Sequence, residues 1–424
     1  MAHQPLSSTR ENKSRFFYGY IIVLASFFIL FVSWGSQYSF GVFFKPVLHE
    51  FGWTRAVTSG AYSLNMILSG VFSLVTGRLV GNKVQPRIVI SIGGCLIGLG
   101  YFLMSRVATE WQYYLFYGVI ISTGVGCMVA PLLTTVARWF SGGRGLASGI
   151  VLSGTGLGIV VMPQVANAII SKTDWRTSFL ILSIISVVII VILAQLVKRA
   201  PESRSSTVRG THEAYIPNMR SQGLSFAEAA RTRTFWIFCI TSVFMGFVAQ
   251  VVMVHIVAHA TDIGFAATIA ATVLSAIGLV SMFGKVFMGT LSHRIGNRKI
   301  MIMVCFLYGL SFVWIGFAGQ LWMLYLFAAL FAAGYSGAAA SHSPQVAEFF
   351  GLRAHGTIYG LACLLANIGG ALGSFLAGYI FDATGSYQWA FYINVILCAI
   401  GVIISIFLPA RKKVQATVTA KSRA

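Results

Sequence analysis

Charge is what this chain has least of. Asp, Glu, Lys and Arg make up 9% of its 424 residues, and only ten of them are acidic. A soluble domain carries about a quarter of its residues as charges, so a water-exposed globule of this size is excluded. Cysteine pairs are missing as well. Cys95, Cys127, Cys239, Cys305, Cys363 and Cys398 stand far apart in apolar stretches, which gives neither a disulfide framework nor metal-ligand spacing and makes them buried thiols. No nucleotide-binding P-loop, zinc motif, nucleophile elbow or pair of intramembrane carboxylates occurs. The GTGLG run from Gly154 sits inside an apolar stretch rather than after a strand. No cofactor, metal or enzymatic activity is therefore expected, and ATP is not the expected energy source.

The net charge of +20 raises the question of nucleic acid. Its cations are spread thinly between long apolar runs, which suits loops facing an anionic leaflet and not a phosphate-tracking groove. The first 15 residues are polar, and the apolar run after Phe16 is too long for the core of a cleaved leader.

Hydrophobic residues, at 57% of the chain, are gathered into runs of 18 or more. The runs predict twelve membrane spans, at 18–45, 57–79, 88–108, 112–139, 146–170, 176–197, 234–260, 267–291, 299–318, 321–346, 356–382 and 388–409. With both termini placed in the cytoplasm, the inward loops and tails hold 24 of the 30 Lys and Arg. The outward loops hold five, Lys45, Arg55, Arg106, Lys172 and Arg176, and Lys285 alone lies within a span. That asymmetry sets the orientation.

The only long polar segment, 198–233, carries Pro201, Pro217 and seven basic residues. It reads as a cytoplasmic linker between an N-terminal half (18–197) and a C-terminal half (234–409), with tails at 1–17 and 410–424. The halves echo each other. GRLVGNKVQPR from Gly77 follows span two and GTLSHRIGNRK from Gly289 follows span eight; Gly77 to Gly145 is 68 residues and Gly289 to Gly356 is 67. Equal spacing predicts a duplicated six-helix unit. Glycines crowd spans four, five and eleven, among them Gly124, Gly126, Gly149, Gly154, Gly158, Gly356, Gly369 and Gly373. Small residues let helices approach closely in lipid. They read as packing seams, along which two halves can also rock.

These residues resemble the major facilitator superfamily, and within it the branch of monocarboxylate transporters and oxalate:formate antiporters. The resemblance runs over nearly the whole chain. The repeated loop is similar to the superfamily pattern Gly-x-Leu-x-Asp-Arg-x-Gly-Arg-Arg: its second copy keeps Gly289, Leu291, Arg294, Gly296, Arg298 and Lys299, with His293 at the aspartate position, where the first copy has Gly81. Branch features are YSFGVFFKPVLHEFGWTRA from Tyr38, the helix 4 to helix 5 stretch from Gly124 to Ile150, AARTRTFWIF from Ala229 and IFDATGSYQWAF from Ile380. The opening FFYGYIIV from Phe16 lacks the acidic and tryptophan-bearing start of animal monocarboxylate transporters and resembles a prokaryotic member.

The resemblance implies an all-α membrane protein of twelve helices in two pseudo-symmetric halves. It also implies a secondary transporter that moves a small organic monocarboxylate with a proton across the cytoplasmic membrane as a monomer. Anion exchange and drug or metabolite export are its rivals. It implies gating loops at Gly77 and Arg78 and at Gly289, Arg294, Gly296 and Arg298.

In this branch an arginine that lines the substrate cavity commonly follows the equivalent of Gly284, and Lys285 stands there. A charge in the bilayer faces a cavity or a partner; the other reading of Lys285 is snorkelling to the cytoplasmic interface. His255, His259 and Asp262, at i, i+4 and i+7, share one helix face near the outer end of span seven and suggest proton handling. Asp262 reads equally as a helix-end cap and His259 as an interfacial residue. Helical rise puts Lys285 about 28 Å, and His255 about 10 Å, below the turn at Gly264, so one small acid cannot bridge them. Gln37, Tyr38, Asn65, Ser281, Tyr335 and Asn367 are the other cavity candidates, since helices 1, 2, 5, 7, 8, 10 and 11 line the path in the superfamily.

Overall fold

The structure is a computed structural model that describes residues 17–82, 84–140, 144–199, 223–351 and 353–409. Most of the expected tails, and 200–222 of the expected linker, lie outside the described residues. Twelve helices are long and apolar enough to cross a membrane. They are α1 (Gly19–Phe51), α2 (Arg55–Asn82), α3 (Pro86–Met104), α4 (Glu110–Trp139), α5 (Arg144–Lys172), α6 (Trp175–Leu196), α7 (Arg233–Asp262), α8 (Ala267–Ile295), α9 (Asn297–Ile315), α10 (Leu321–Phe350), α11 (His355–Thr384) and α12 (Gln388–Ser405). Helices close every backbone hydrogen bond within one segment, which is what lets apolar runs of this length stand in lipid. With an even number of crossings α1 begins and α12 ends at one face, the terminal face; the opposite one is the distal face.

Hydropathy located every span but clipped the first two at the distal face. The first span was expected to stop at 45 and the second to begin at 57. Instead α1 runs through Lys45, His49 and Glu50 to Gly52, whose φ of +66° is a left-handed cap that glycine adopts without strain, and α2 starts at Arg55. The polar residues that looked like loop are helical because their charges are paired. Lys45 meets Asp262 at 2.7 Å and Arg176 meets Glu50 at 2.6 Å, with Trp175 donating to the same carboxylate.

Two hydrophobic cores form, one drawn mostly from α1 to α6 and one mostly from α7 to α12, each taking in a few residues of the other half, such as Val254 and Ala371 in the first and Tyr38 and Ile159 in the second. In the first, α1 packs on α5, and in the second α7 packs on α11, the same pair in each repeat. Glycines make both seams. A Cβ on Gly158 would come 2.5 Å from the Phe31 carbonyl, and one on Gly369 or Gly373 would strike the carbonyl of Val243 or Phe247. The halves meet along two more symmetry-related pairs, α2 with α11 and α5 with α8.

Candidate functional site

At mid-depth, where α1, α5, α8 and α10 converge between the halves, Lys285 is half-buried on α8. Its Nζ donates to the Thr155 hydroxyl of α5 at 3.4 Å and lies 5.7 Å from the centre of the Tyr335 ring. The Tyr335 hydroxyl meets that of Tyr38 on α1 at 3.2 Å, so a phenol pair bridges the two halves beside the ammonium. Trp34 lies against Tyr38 at 5.6 Å and Phe331 stacks on Tyr335 at 6.2 Å. Among the described residues no carboxylate pairs with Lys285. Because α8 continues to Ile295, the ammonium stands about 15 Å from the terminal end of its helix at ~1.5 Å per residue.

From this centre a series of contacts between the halves climbs to the distal face. Tyr62 donates to Gln250 at 3.1 Å. Ser63 meets the Ser374 hydroxyl at 2.8 Å and the Ala371 carbonyl at 2.7 Å. At the rim, the Arg55 guanidinium grips Asp262 with two bonds of 2.8 and 3.0 Å, donates to the Tyr387 hydroxyl at 2.5 Å and lies 3.4 Å over the Phe381 ring. Lys45 reaches the same Asp262 at 2.7 Å. Asp382 accepts the backbone N–H groups of Arg55 and Ala56 at 2.8 and 2.7 Å, so an acid of one half caps a helix of the other. His255 fits this network in one tautomer. One ring nitrogen faces the Ser374 carbonyl at 2.8 Å and must donate, while the other faces Tyr387 at 3.0 Å and accepts its proton. Arg55, Tyr387 and His255 thus form a directed chain, from the guanidinium to the phenol, from the phenol to the imidazole, and from the imidazole to the Ser374 carbonyl.

The sequence profile of the Major Facilitator Superfamily matches residues 26–288 and 237–423. The chain belongs to the Major Facilitator Superfamily. It is 27% identical over 404 residues to monocarboxylate transporter 13 of Bos taurus, covering 92% of this chain and 89% of that protein. It is 25% identical over 297 residues to the oxalate:formate antiporter of Oxalobacter formigenes, covering 70% and 68%. Among solved structures it matches a bacterial homolog to the human lysosomal transporter Spinster, in an inward-facing and occupied conformation, with a TM-score of 0.70 and 15% identity, over 97% of this chain and 98% of that one. The facilitator fold, the membrane and the transporter family expected from the sequence are shown together.

Within this facilitator fold the candidate residues separate into groups. Lys285, Tyr335 and Tyr38 come together between the halves. Gln37 and Asn65 are fully buried inside the first half and bonded to each other at 3.0 Å, with Asn65 donating on to the Tyr117 carbonyl at 2.8 Å. Ser281 is buried and donates to Gly278 of its own helix at 2.9 Å, while its carbonyl accepts Ser336 at 3.3 Å in the α8–α10 seam. Asn367 faces Gly70 across the α2–α11 contact, where a Cβ would come 2.8 Å from its amide nitrogen.

Asp262 and His255 join the distal network. His259, about one turn before the end of α7, is partly exposed: its ring lies edge-on to Tyr387 and Phe391, and its Nε2 has no hydrogen-bond partner among the described residues. A turn earlier the helix faces the same aromatic wall, so its position is set by packing. In the loops expected to gate, Gly296 joins α8 to α9 at φ +85° and Arg294 is exposed. Asn297 donates to Glu348 at 2.6 Å, Gly77 packs on Ala130 and Gly289 near Ala340. Arg298 is half-buried, and the side chains of Arg78 and His293 lie outside the described residues.

Sequence reasoning missed Arg55, Lys45, Asp382 and Tyr387. A readable signal existed. The distal loops hold five cations and five acids, Glu50, Glu110, Asp174, Asp262 and Asp382, while the loops and tails of the other side together hold 24 cations against five acids. Charge balance on one face only marks it as the one built to pair.

Proposed function

We propose that this protein is a secondary transporter that carries a small organic monocarboxylate, of the lactate or pyruvate kind, together with a proton across the cytoplasmic membrane by alternating access. The terminal face lies in the cytoplasm. The observation that carries the reading is Lys285, an ammonium held between two halves with a hydroxyl and two phenols for company and, among the described residues, no carboxylate of its own. A small carboxylate supplies the missing charge and the phenols suit its short apolar body. The named relatives, monocarboxylate transporters and an oxalate:formate antiporter, favour the same class of cargo.

Asp262 is the coupling acid in this reading. Protonation removes the charge that Arg55 and Lys45 grip, so the distal side loosens as the proton is taken up. One proton on Asp262 and one anion at Lys285 let the loaded carrier reorient without adding buried charge.

The test is uptake of labelled lactate, pyruvate, acetate, formate and oxalate into proteoliposomes, with and without an inward proton gradient and with anion trapped inside. Wild type is expected to accumulate a monocarboxylate when the gradient is imposed. Lys285→Gln is expected to lower kcat/KM by about 10- to 100-fold, the loss of one charge-assisted contact, and Lys285→Arg to restore most of it. Uptake that needs trapped anion and ignores the gradient identifies an exchanger instead. An unimpaired Lys285→Gln removes the anion role of this residue.

A further inference from the structure

Every group that the Lys45 and Arg55 side chains and the first N–H groups of α2 hold at the rim comes from the second half. Arg55 is engaged by Asp262 of α7, by Tyr387 before α12 and by Phe381 of α11. Lys45 is engaged by Asp262, and the first two N–H groups of α2 are engaged by Asp382 of α11. If the halves part at this face, all of these are lost at once. The nearest acid of the first half, Glu50, cannot replace them, because it is bound to Arg176 at 2.6 Å and to the Trp175 indole at 2.6 Å. An opened rim therefore presents, on one wall, a guanidinium, an ammonium and two free helix N–H groups without a counter-charge. On the facing wall stand two carboxylates.

The geometry of the closed state says what fits the positive wall. Arg55 and Lys45 converge on a single carboxylate, with two parallel bonds from the planar fork and one from the ammonium. This is the arrangement by which arginine selects carboxylates over spherical anions. The side-chain carboxylate of Asp262 is a methylene-linked CO2 group, the same head that a small monocarboxylate offers.

We infer that the Lys45–Arg55 pair is a carboxylate-binding site at the distal mouth, occupied by the chain's own Asp262 when that side is closed and by the incoming substrate carboxylate when it is open. Substrate and Asp262 compete for one guanidinium. The substrate is first bound at the rim and then passed inward to Lys285, and Asp262 retakes Arg55 behind it. The inference rests on the monocarboxylate reading above. It adds a second site on the other side of the Tyr62–Gln250 and Tyr38–Tyr335 bridges, with a role on one face only.

A gate and a binding site make opposite predictions for the two partners of one ion pair. The measurement is carboxylate exchange in proteoliposomes with equal pH on both sides, labelled pyruvate being the probe. KM is read separately at the distal face and, with the gradient of label reversed, at the terminal face. Arg55→Gln is expected to raise the distal KM by about 10-fold or more while shifting the terminal KM by no more than about 2-fold, as loss of a charge-assisted carboxylate contact requires. Lys45→Gln is expected to act in the same direction, and Arg55→Lys to fall between, since it keeps the charge and loses the fork. Asp262→Asn, which removes the internal competitor, is expected to lower the distal KM.

If Arg55 and Asp262 serve only to lock the gate, either substitution breaks the same bond, and the two variants then shift the distal KM in the same direction by similar factors; that result overturns the site. Should Arg55→Gln fail to elute as a folded peak, Arg55→Lys and Lys45→Gln carry the test, and a distal KM unchanged in both overturns it equally. Wild-type vesicles that exchange no monocarboxylate refute the transport reading itself, which is a different failure from a working carrier whose distal KM is indifferent to Arg55.

Discussion

Asn65 holds three helices in register: its carbonyl oxygen accepts the Gln37 amide at 3.0 Å and its own amide donates to the Tyr117 carbonyl at 2.8 Å, which ties α1, α2 and α4 together inside one half. Tyr335 holds less and faces more. Among the described residues its hydroxyl meets only that of Tyr38 at 3.2 Å, across the boundary between the halves. The two residues are therefore expected to differ in kind when altered. Asn65→Ala leaves a buried amide and a buried carbonyl unpaired, and should cost about 1 kcal/mol of stability, the typical value for such bonds within a bilayer, seen as a lower unfolding temperature in detergent with substrate KM nearly unchanged. Tyr335→Phe removes one hydroxyl from a shared, partly open pair, and should leave the unfolding temperature within error while raising KM for the carboxylate several-fold. If instead Asn65→Ala changes KM and spares stability, Gln37 and Asn65 line the cavity after all. The sequence placed all of these residues in one class because each is a polar group in an apolar run; only the identity of its partners, which no spacing records, divides them.

At the scale of elements, the glycines separate in the same way. Spans five and eleven were legible as glycine-rich seams, and the α1–α5 and α7–α11 contacts are built on them. Yet Gly369 lies against the Val243 carbonyl, whereas a Cβ on Gly149 or Gly356 would meet nothing within 4 Å. Gly369→Ala should thus destabilise the protein by about 1 to 3 kcal/mol through overpacking, while Gly149→Ala and Gly356→Ala should be neutral or stabilising, because alanine is the better helix former by up to about 1 kcal/mol. Thermal unfolding in one detergent compares all three. Helix positions were readable from hydropathy because lipid demands a fixed run of apolar residues. The distal ends were not, since the charges of Lys45, Glu50 and Arg55 are paired by groups supplied from 126 to 217 residues away, and Lys285 stood out in the sequence because its isolation within a span needs no partner to be noticed.

For the molecule as a whole, the contacts that must break during transport are concentrated at the distal side of the boundary between halves. Ser63 of α2 and Ser374 of α11 touch there, hydroxyl to hydroxyl at 2.8 Å, below the Arg55–Asp262 pair and above the Tyr62–Gln250 bond. Oγ atoms that close hold the two Cβ atoms no more than about 5.6 Å apart, so a small adjustment of the helices brings them within the roughly 3.5 to 4.5 Å that a disulfide spans. The double variant Ser63→Cys, Ser374→Cys is therefore expected to cross-link under mild oxidation, and none of the native cysteines on the described helices forms a disulfide that would compete. If transport proceeds by two rigid halves rocking about a central site, the oxidised protein is locked closed at this face and moves no substrate, and reduction restores the wild-type rate; each single variant treated alike keeps working. Binding at Lys285 from the terminal face should survive the lock, because the cross-link freezes the contacts already present in this structure and leaves Thr155, Tyr335 and Tyr38 where they stand. Full transport after quantitative cross-linking would mean that α2 and α11 stay together throughout the cycle, and the rim charges would then have to be read as a fixed clamp rather than a door.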